Sequence, residues 1–192
     1  MNRRGAQLTG PLGGAGMVGL WGASSLIESI QYGVVSMSGA QASNTATITS
    51  VDLSRSVLID LRQSNNWSGG TQPAYTSNTL ALTNSTTVTA ARQAAGGIAL
   101  TAGFCVVTFL PGVFRSIQSG VVSGTGSPTV IITSVNTAKT MLFSLGLSGD
   151  SGGRDDYFYG YWQLTNATTL TLQRVSTGGS SMQAGWLALE GF

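Results

Sequence analysis

Three blocks of this sequence occur twice in the same order, and this self-similarity constrains the fold more than any other feature. They read Ser-Ile-Gln-x-Gly-Val-Val-Ser, Ile-Thr-Ser-Val and Leu-Thr-Asn-x-Thr-Thr, where x differs between the copies. The blocks begin at Ser29, Ile48 and Leu82, and again at Ser116, Ile132 and Leu164. A fixed order at nearly constant spacing indicates an internal repeat. We therefore expect two similar domains, residues 26–112 and 113–192, divided at the turn dipeptide Pro111-Gly112.

Both copies are typical of β structure. Short runs rich in Val, Thr, Leu and Phe are separated by Ser/Asn/Gly clusters, a pattern that predicts strands joined by turns. The runs cover residues 45–51, 56–61, 86–91 and 98–110 in the first copy, and 140–145, 168–173 and 182–189 in the second. The only stretch that suggests helical periodicity is residues 21–30. We expect an all-β protein of two tandem β-sandwich or barrel domains.

Residues 1–25 differ from both copies because glycine is dense within an otherwise apolar stretch. Glycine disfavours the helix that a signal peptide needs, and the stretch is too short to cross a membrane. An extended arm that docks on a partner or a neighbouring subunit is the interpretation we favour; packing on its own domain is the alternative. The apolar residues expected to make this contact are Leu8, Leu12, Met17, Val18, Leu20 and Trp21.

The composition excludes most catalytic chemistry. The chain has no His, so it lacks a Ser-His-Asp triad, a Cys-His dyad and any His-ligated metal. A single cysteine, Cys105, excludes an intrachain disulfide and a Cys-ligated zinc. The net charge is only +2, which leaves no electrostatic footprint for nucleic acid. We expect no enzyme activity, no cofactor, no nucleic acid and no membrane insertion.

One segment of the second copy is both acidic and rich in glycine. Residues 149–153 read Gly-Asp-Ser-Gly-Gly, like the surroundings of a serine-protease nucleophile, but the required histidine base is absent. Nearby Asp150, Asp155 and Asp156 could bind calcium or supply a glycosidase acid and base, yet the spacing is not that of an EF-hand. A solvated loop with an Asp–Arg154 pair is the interpretation we favour, and we predict no metal site.

The low fraction of charged residues leaves little charge to protect the sheet edges of this chain. Charged residues make up 8% of the chain, against about 25% in an ordinary soluble domain. Lys139 is the single lysine. Monomeric β proteins protect their sheet edges with charge, especially lysine. The composition therefore favours an oligomer, or incorporation into a larger particle.

A row of polar and aromatic side chains follows the acidic segment. On a strand, four residues share one face, and Trp162 and Leu164 on the opposite face match Leu80 and Leu82 of the first copy. The four are Tyr157, Tyr159, Tyr161 and Gln163. Tyrosine is enriched at interfaces, so the row predicts a subunit contact. A saccharide-stacking surface and a covered sandwich face remain the alternatives.

The repeated blocks, with a closing strand at residues 104–109, resemble a group of small β-rich proteins encoded among the structural genes of tailed bacteriophages. The resemblance covers residues 26–192. It implies a virion component assembled in the host cytoplasm, either in the tail and fibre region or on the capsid. The tandem duplication and the arm of residues 1–25 depart from the pattern of the group.

The resemblance and the composition lead to one function hypothesis with two alternatives. The first is a tail- or fibre-associated structural protein, an adaptor, collar or fibre, assembled through its arm and β edges. The second is a capsid decoration protein, and the third is a saccharide-binding module that recognises a host surface glycan. The expected partners are other virion proteins and further copies of this chain. A trimer would present six similar modules.

Overall fold

The computed structural model describes residues 26–65, 76–149, 160–174 and 181–192, which form twelve strands and a 3-10 turn at Thr137–Lys139. The first half contains β1 (Ile27–Met37), β2 (Ser43–Thr47), β3 (Ser56–Asn65), β4 (Thr79–Asn84), β5 (Thr87–Ala91) and β6 (Leu100–Phe109). The second contains β7 (Ser116–Gly124), β8 (Thr129–Ile131), β9 (Thr140–Gly149), β10 (Gly160–Asn166), β11 (Thr169–Arg174) and β12 (Met182–Glu190). The all-β expectation is confirmed.

Strand pairing follows the same order in the two halves. In the first half β1-β6-β3 and β2-β5-β4 form the two sheets, and in the second half β7-β12-β9 and β10-β11-β8 do so, all antiparallel. Thr79 of β4 pairs with Gly146 of β9, which joins the halves into one six-stranded sheet, β2-β5-β4-β9-β12-β7. Because the halves share a sheet, the division into separate domains stays a prediction.

Strand β12 lies at the centre of the packing. Its residues Trp186 and Ala188 join the core of the second half. Leu187 and Leu189 point the other way and join the core of the first half. A strand covered on both faces carries a nearly continuous apolar run, which is the pattern of Met182–Glu190.

Two local predictions are wrong. Residues 27–30, within the segment that suggested a helix, begin β1 because β6 supplies an antiparallel partner for this edge. Residues 48–51 do not continue β2. The backbone N–H groups of Ile48 and Val51 instead donate to the carbonyls of Thr86 and Ser85, both at 2.9 Å, so this segment crosses the β4–β5 turn. The arm, residues 1–25, lies outside the described residues.

Strands β3 and β9 carry the same bulge. The register of β3 with β6 shifts between Asp60 and Gln63, and that of β9 with β12 shifts around Gly146. The residue at the turning point has a positive φ in each half: 80° at Arg62 and 92° at Gly146. A positive φ costs glycine little and strains other residues, so the two halves solve the same turn differently.

Candidate interaction surface

The glutamine of the first repeated block ties its strand to the second block. The Gln31 side chain donates from Nε2 to the Thr49 carbonyl at 3.0 Å and accepts the Thr49 N–H at 2.8 Å. Gln118 makes the same two bonds with Thr133, at 3.1 and 2.7 Å. One amide thus satisfies both backbone groups of a residue that has left the sheet. The repeated motif has a structural task in both halves.

The glycine of the same block makes room for an aromatic ring. Gly33 pairs with Phe104, and Gly120 pairs with Trp186. A Cβ atom at Gly33 would lie 2.4 Å from Cζ of Phe104, and one at Gly120 would lie 3.1 Å from the Trp186 ring. The ring therefore occupies the space above the glycine, an arrangement that compensates for the missing side chain.

The opposite face of the β1-β6-β3 sheet is apolar and exposed. Alternate residues of β1 and β3 point outward there, with 42 to 73% of each residue exposed. They are Ile30, Tyr32, Val34, Ile59 and Leu61, which we name the outer apolar face. No member carries a charge. Contiguous apolar surface of this kind marks interaction sites in soluble proteins.

The central strand completes the outer apolar face. The β1–β6 register places Val107 beside Ile30 and Cys105 beside Tyr32. Both β6 residues are buried between their larger neighbours. Burial raises the pKa of the Cys105 thiol, and a hydrogen bond to Tyr32 opposes that shift. Cys105 is therefore a protonated, packed side chain, as an apolar strand predicts.

The matching face of the second half is covered at Leu145 but open elsewhere, since Val121 is 42% and Phe143 47% exposed. Leu145 occupies the position that corresponds to Leu61, yet it is 1% exposed, whereas Leu61 is 48% exposed. Leu187 and Leu189 are also buried, because residues of the first half pack against them in one core cluster. An apolar cavity of about 280 Å³ lies between β3 and β9, bordered by Ile59 and other apolar residues. The two faces thus differ most clearly at one position, where Leu61 is exposed and Leu145 is buried.

Charged groups sit at one end of this face and are paired with each other. Arg55 donates from Nε to Asp52 at 2.9 Å, contacts the Glu28 carboxylate, and donates to the Phe109 carbonyl at 2.8 Å. Hydrogen bonds from the Ser54 hydroxyl and from Arg55 lower the pKa of Asp52 from 3.8 to about 2. Asp52 therefore stays ionised near neutral pH, and the cluster marks the rim of the apolar surface.

Part of the predicted tyrosine row is described. Tyr161 is 66% exposed on β10, and Gln163 beside it is exposed and accepts a bond from Gln173 at 2.9 Å. Trp162 points to the opposite face, packs in the core, and donates to the Gly185 carbonyl at 3.0 Å. Tyr157 and Tyr159 lie outside the described residues.

Other predicted sites also lie outside the described residues. These are the arm residues Leu8, Leu12, Met17, Val18, Leu20 and Trp21, and the acidic residues Asp150, Asp155 and Asp156. Within the described ranges, no group of three or more Cys, Asp or Glu side chains could hold a metal ion. Nor does any helix there have the length and apolarity to cross a membrane.

Sequence reasoning missed the outer apolar face. The signal was present in β1, where Ile30, Tyr32 and Val34 alternate with Gln31, Gly33 and Val35, so that both faces of the strand carry apolar residues. Arg92, which matches Arg174 of the second copy, is 2% exposed and donates to backbone carbonyls.

Comparisons with known proteins give no identity, because no family model, no curated protein and no solved structure matches this chain.

Proposed function

We propose that this chain is a non-enzymatic structural protein of a tailed-bacteriophage particle, located in the tail or fibre region. It assembles there through residues 1–25 and through the exposed surfaces of its sheets. The proposal combines the sequence resemblance of residues 26–192 with the surface described above. It assigns the chain no substrate and no cofactor.

The observation that carries the proposal is the outer apolar face. Tyr32 is 73% exposed and Val34 57%, on an edge strand with little charge to keep other proteins away. Leaving such a surface in water costs about 25 cal/mol per Å² of apolar area relative to burial. A protein that works as part of a particle recovers this free energy when it assembles. We therefore assign the outer apolar face to contact with another virion protein.

The repeated clamp and glycine–aromatic pairs fit the same role. These contacts hold the strands of each sandwich-like half together and do not shape a reactive pocket. In the first half they are the bonds of Gln31 with Thr49 and the packing of Gly33 against Phe104. Binding surfaces built on rigid strands need no rearrangement on assembly, which lowers the entropic cost of association.

The first test is copy number by quantitative mass spectrometry on purified particles, with heads and tails separated. We expect a few to a few dozen copies that travel with the tails. Hundreds of copies that travel with the heads would identify a capsid decoration protein instead. Absence from both fractions would contradict the virion proposal and leave the saccharide-binding alternative, which a glycan array with Tyr161 variants would test.

A matched pair of variants tests the surface itself. Val34→Lys adds charge to the outer apolar face, and Val121→Lys changes the corresponding residue of β7, which is 42% exposed. In phage that lack the wild-type gene, we expect Val34→Lys to lower the number of copies per particle and Val121→Lys to leave it unchanged. Equal incorporation of both variants would show that another surface makes the contact.

A further inference from the structure

The junction between the halves depends on a glycine. Gly146 pairs with Thr79, and a Cβ atom at Gly146 would lie 2.2 Å from the Asn78 carbonyl oxygen. No side chain fits at that distance, and the backbone φ of 92° also favours glycine. Next to it, Leu145 and Ser148 are each 1% exposed, and Ser148 accepts the Gln93 N–H at 2.9 Å.

The same strand positions are exposed in the first half, although the Thr76 carbonyl beside β3 accepts bonds from the Gln63 and Asn65 side chains. Leu61, Arg62 and Ser64 of β3 correspond to Leu145, Gly146 and Ser148 of β9, and all three are exposed. Strand β3 is the last strand of its sheet among the described residues. A strand like β4 would find a related footprint on β3, in which Asp60, Arg62 and Gln63 replace Ser144, Gly146 and Leu147.

The complementary strand is also open. Strand β10 corresponds to β4 and ends its own sheet within the described ranges. Tyr161 stands at the position of Thr79, but it is 66% exposed, whereas Thr79 is 1% exposed. One chain therefore carries counterparts of both junction strands: β10 corresponds to β4, and β3 corresponds to β9. Repetition of this contact from chain to chain would be head-to-tail, which gives rings or open filaments.

Arg62 stands where this contact requires glycine. It is the one residue other than glycine with a positive φ in the described part of the chain. Its N–H is held by the Asp60 carboxylate at 2.8 Å, which supports the unfavourable turn. A residue that has a Cβ atom is strained in a backbone conformation that favours glycine. Strained residues of this kind cluster at functional positions.

We propose that Arg62 blocks head-to-tail pairing between copies of this chain. Its Cβ atom excludes β10 of a second copy from the β3 bulge, where Gly146 admits β4. Natural sheets protect open edges with bulges, and Arg62 stands at the bulge of β3. The inference goes beyond a location in a particle, because it concerns the purified chain. Each sheet of the described residues ends in two edge strands, and the block acts at one of these edges, β3.

The test is the association of the full chain in solution. Sedimentation and light scattering are measured over an about hundred-fold range of concentration, because association follows mass action. For Arg62→Gly we expect the weight-average mass to rise about two-fold or more above that of the wild type at the highest concentration, reversibly on dilution. Arg62→Ala removes the charge but keeps Cβ, and should behave like the wild type.

A second substitution identifies the strand that docks. In the Arg62→Gly background, Tyr161→Lys places a charge on β10 and should return the mass to the wild-type value. Unchanged mass for Arg62→Gly would overturn the proposal, as would equal association of Arg62→Ala, since charge alone would then be the block. Persistent association of the double variant would overturn the assignment of β10. A particle protein could fail all of these tests and still be found in tails, so the two proposals are separable.

Discussion

Nη2 of Arg92 lies 2.7 Å from the backbone carbonyl of Ser38, and the same guanidinium donates to the carbonyls of Gln41 and Ile98, each at 2.8 Å. Arg92 follows β5 and is 2% exposed, so its charge is solvated by backbone dipoles in place of water. The planar, five-donor guanidinium suits this arrangement, because several carbonyls converge on it from the segments that flank β2 and β6.

Replacement of Arg92 should therefore be costly. Arg92→Met keeps much of the side-chain volume but leaves the buried carbonyls without a donor, and we expect the free energy of unfolding to fall by about 3 kcal/mol. Arg92→Lys should lose part of this amount, since an ammonium group cannot reach all the carbonyls. Urea denaturation measures both. Lys139→Met, at an exposed position, is the control, and an effect of Arg92→Met no larger than the control would refute the assignment.

Loss of either glutamine clamp should weaken the fold to a similar extent in both halves. Gln31→Leu and Gln118→Leu each leave the N–H and carbonyl of a threonine without their side-chain partner. We expect each to cost about 2 kcal/mol in unfolding free energy. Gln163→Leu, on the exposed face of β10, should cost under about 0.5 kcal/mol. A cost at Gln31 with none at Gln118 would mean that the identical bonds have unequal weight.

Alanine at the motif glycine should overpack the core of the first half. Gly33→Ala forces its methyl group against the buried Phe104 ring, at a cost of about 2 kcal/mol in unfolding free energy. Gly120→Ala should cost less, because the Trp186 ring is farther away, at 3.1 Å rather than 2.4 Å. Thermal denaturation ranks the two. Phe104→Leu in the Gly33→Ala background should recover part of the loss if ring contact is the cause.

Gly146→Ala should destabilise the chain more than its φ alone explains. A positive φ costs alanine about 1 kcal/mol, and the contact with the Asn78 carbonyl adds to it, for a total of about 3 kcal/mol. Gly126→Ala is the matched control, because its φ is 70° and nothing lies within 4 Å of the added Cβ. Equal losses of unfolding free energy for the two variants would show that the junction tolerates a side chain.

Acid should weaken the Asp52 cluster in a defined range of pH. The pKa of Asp52 is about 2 in the folded chain, against 3.8 for the ordinary carboxyl. Because the folded value is the lower one, its stabilisation is complete above about pH 4 and is lost as the pH falls towards about 2. Asp52→Asn should thus be less stable than the wild type at neutral pH, with the gap closing across this range. Urea titrations at several pH values measure the gap, and a constant gap would rule out ionisation of Asp52 as its source.

The sequence determined the class of the fold through local patterns. Period-two alternation and Thr/Val-rich runs placed most strands within a few residues of their positions, because successive residues of a strand point to opposite faces. It missed that residues 48–51 leave the sheet. Their apolar residues are buried by crossing a turn, and the hydrogen bonds that hold them there come from Ser85 and Thr86, far along the chain.

The repeated blocks also revealed which residues recur, but only the tertiary structure showed their tasks. The sequence shows only that Gln31 is polar and that Gly33 is small. The bonds of Gln31 to Thr49, and the contact of Gly33 with Phe104, depend on pairing between distant segments. The difference between Leu61, which is exposed, and Leu145, which is buried, could not come from sequence, because both stand in similar strands. What separates them is the docking of β4 on β9, and burial is a property of the assembled surfaces rather than of the residue.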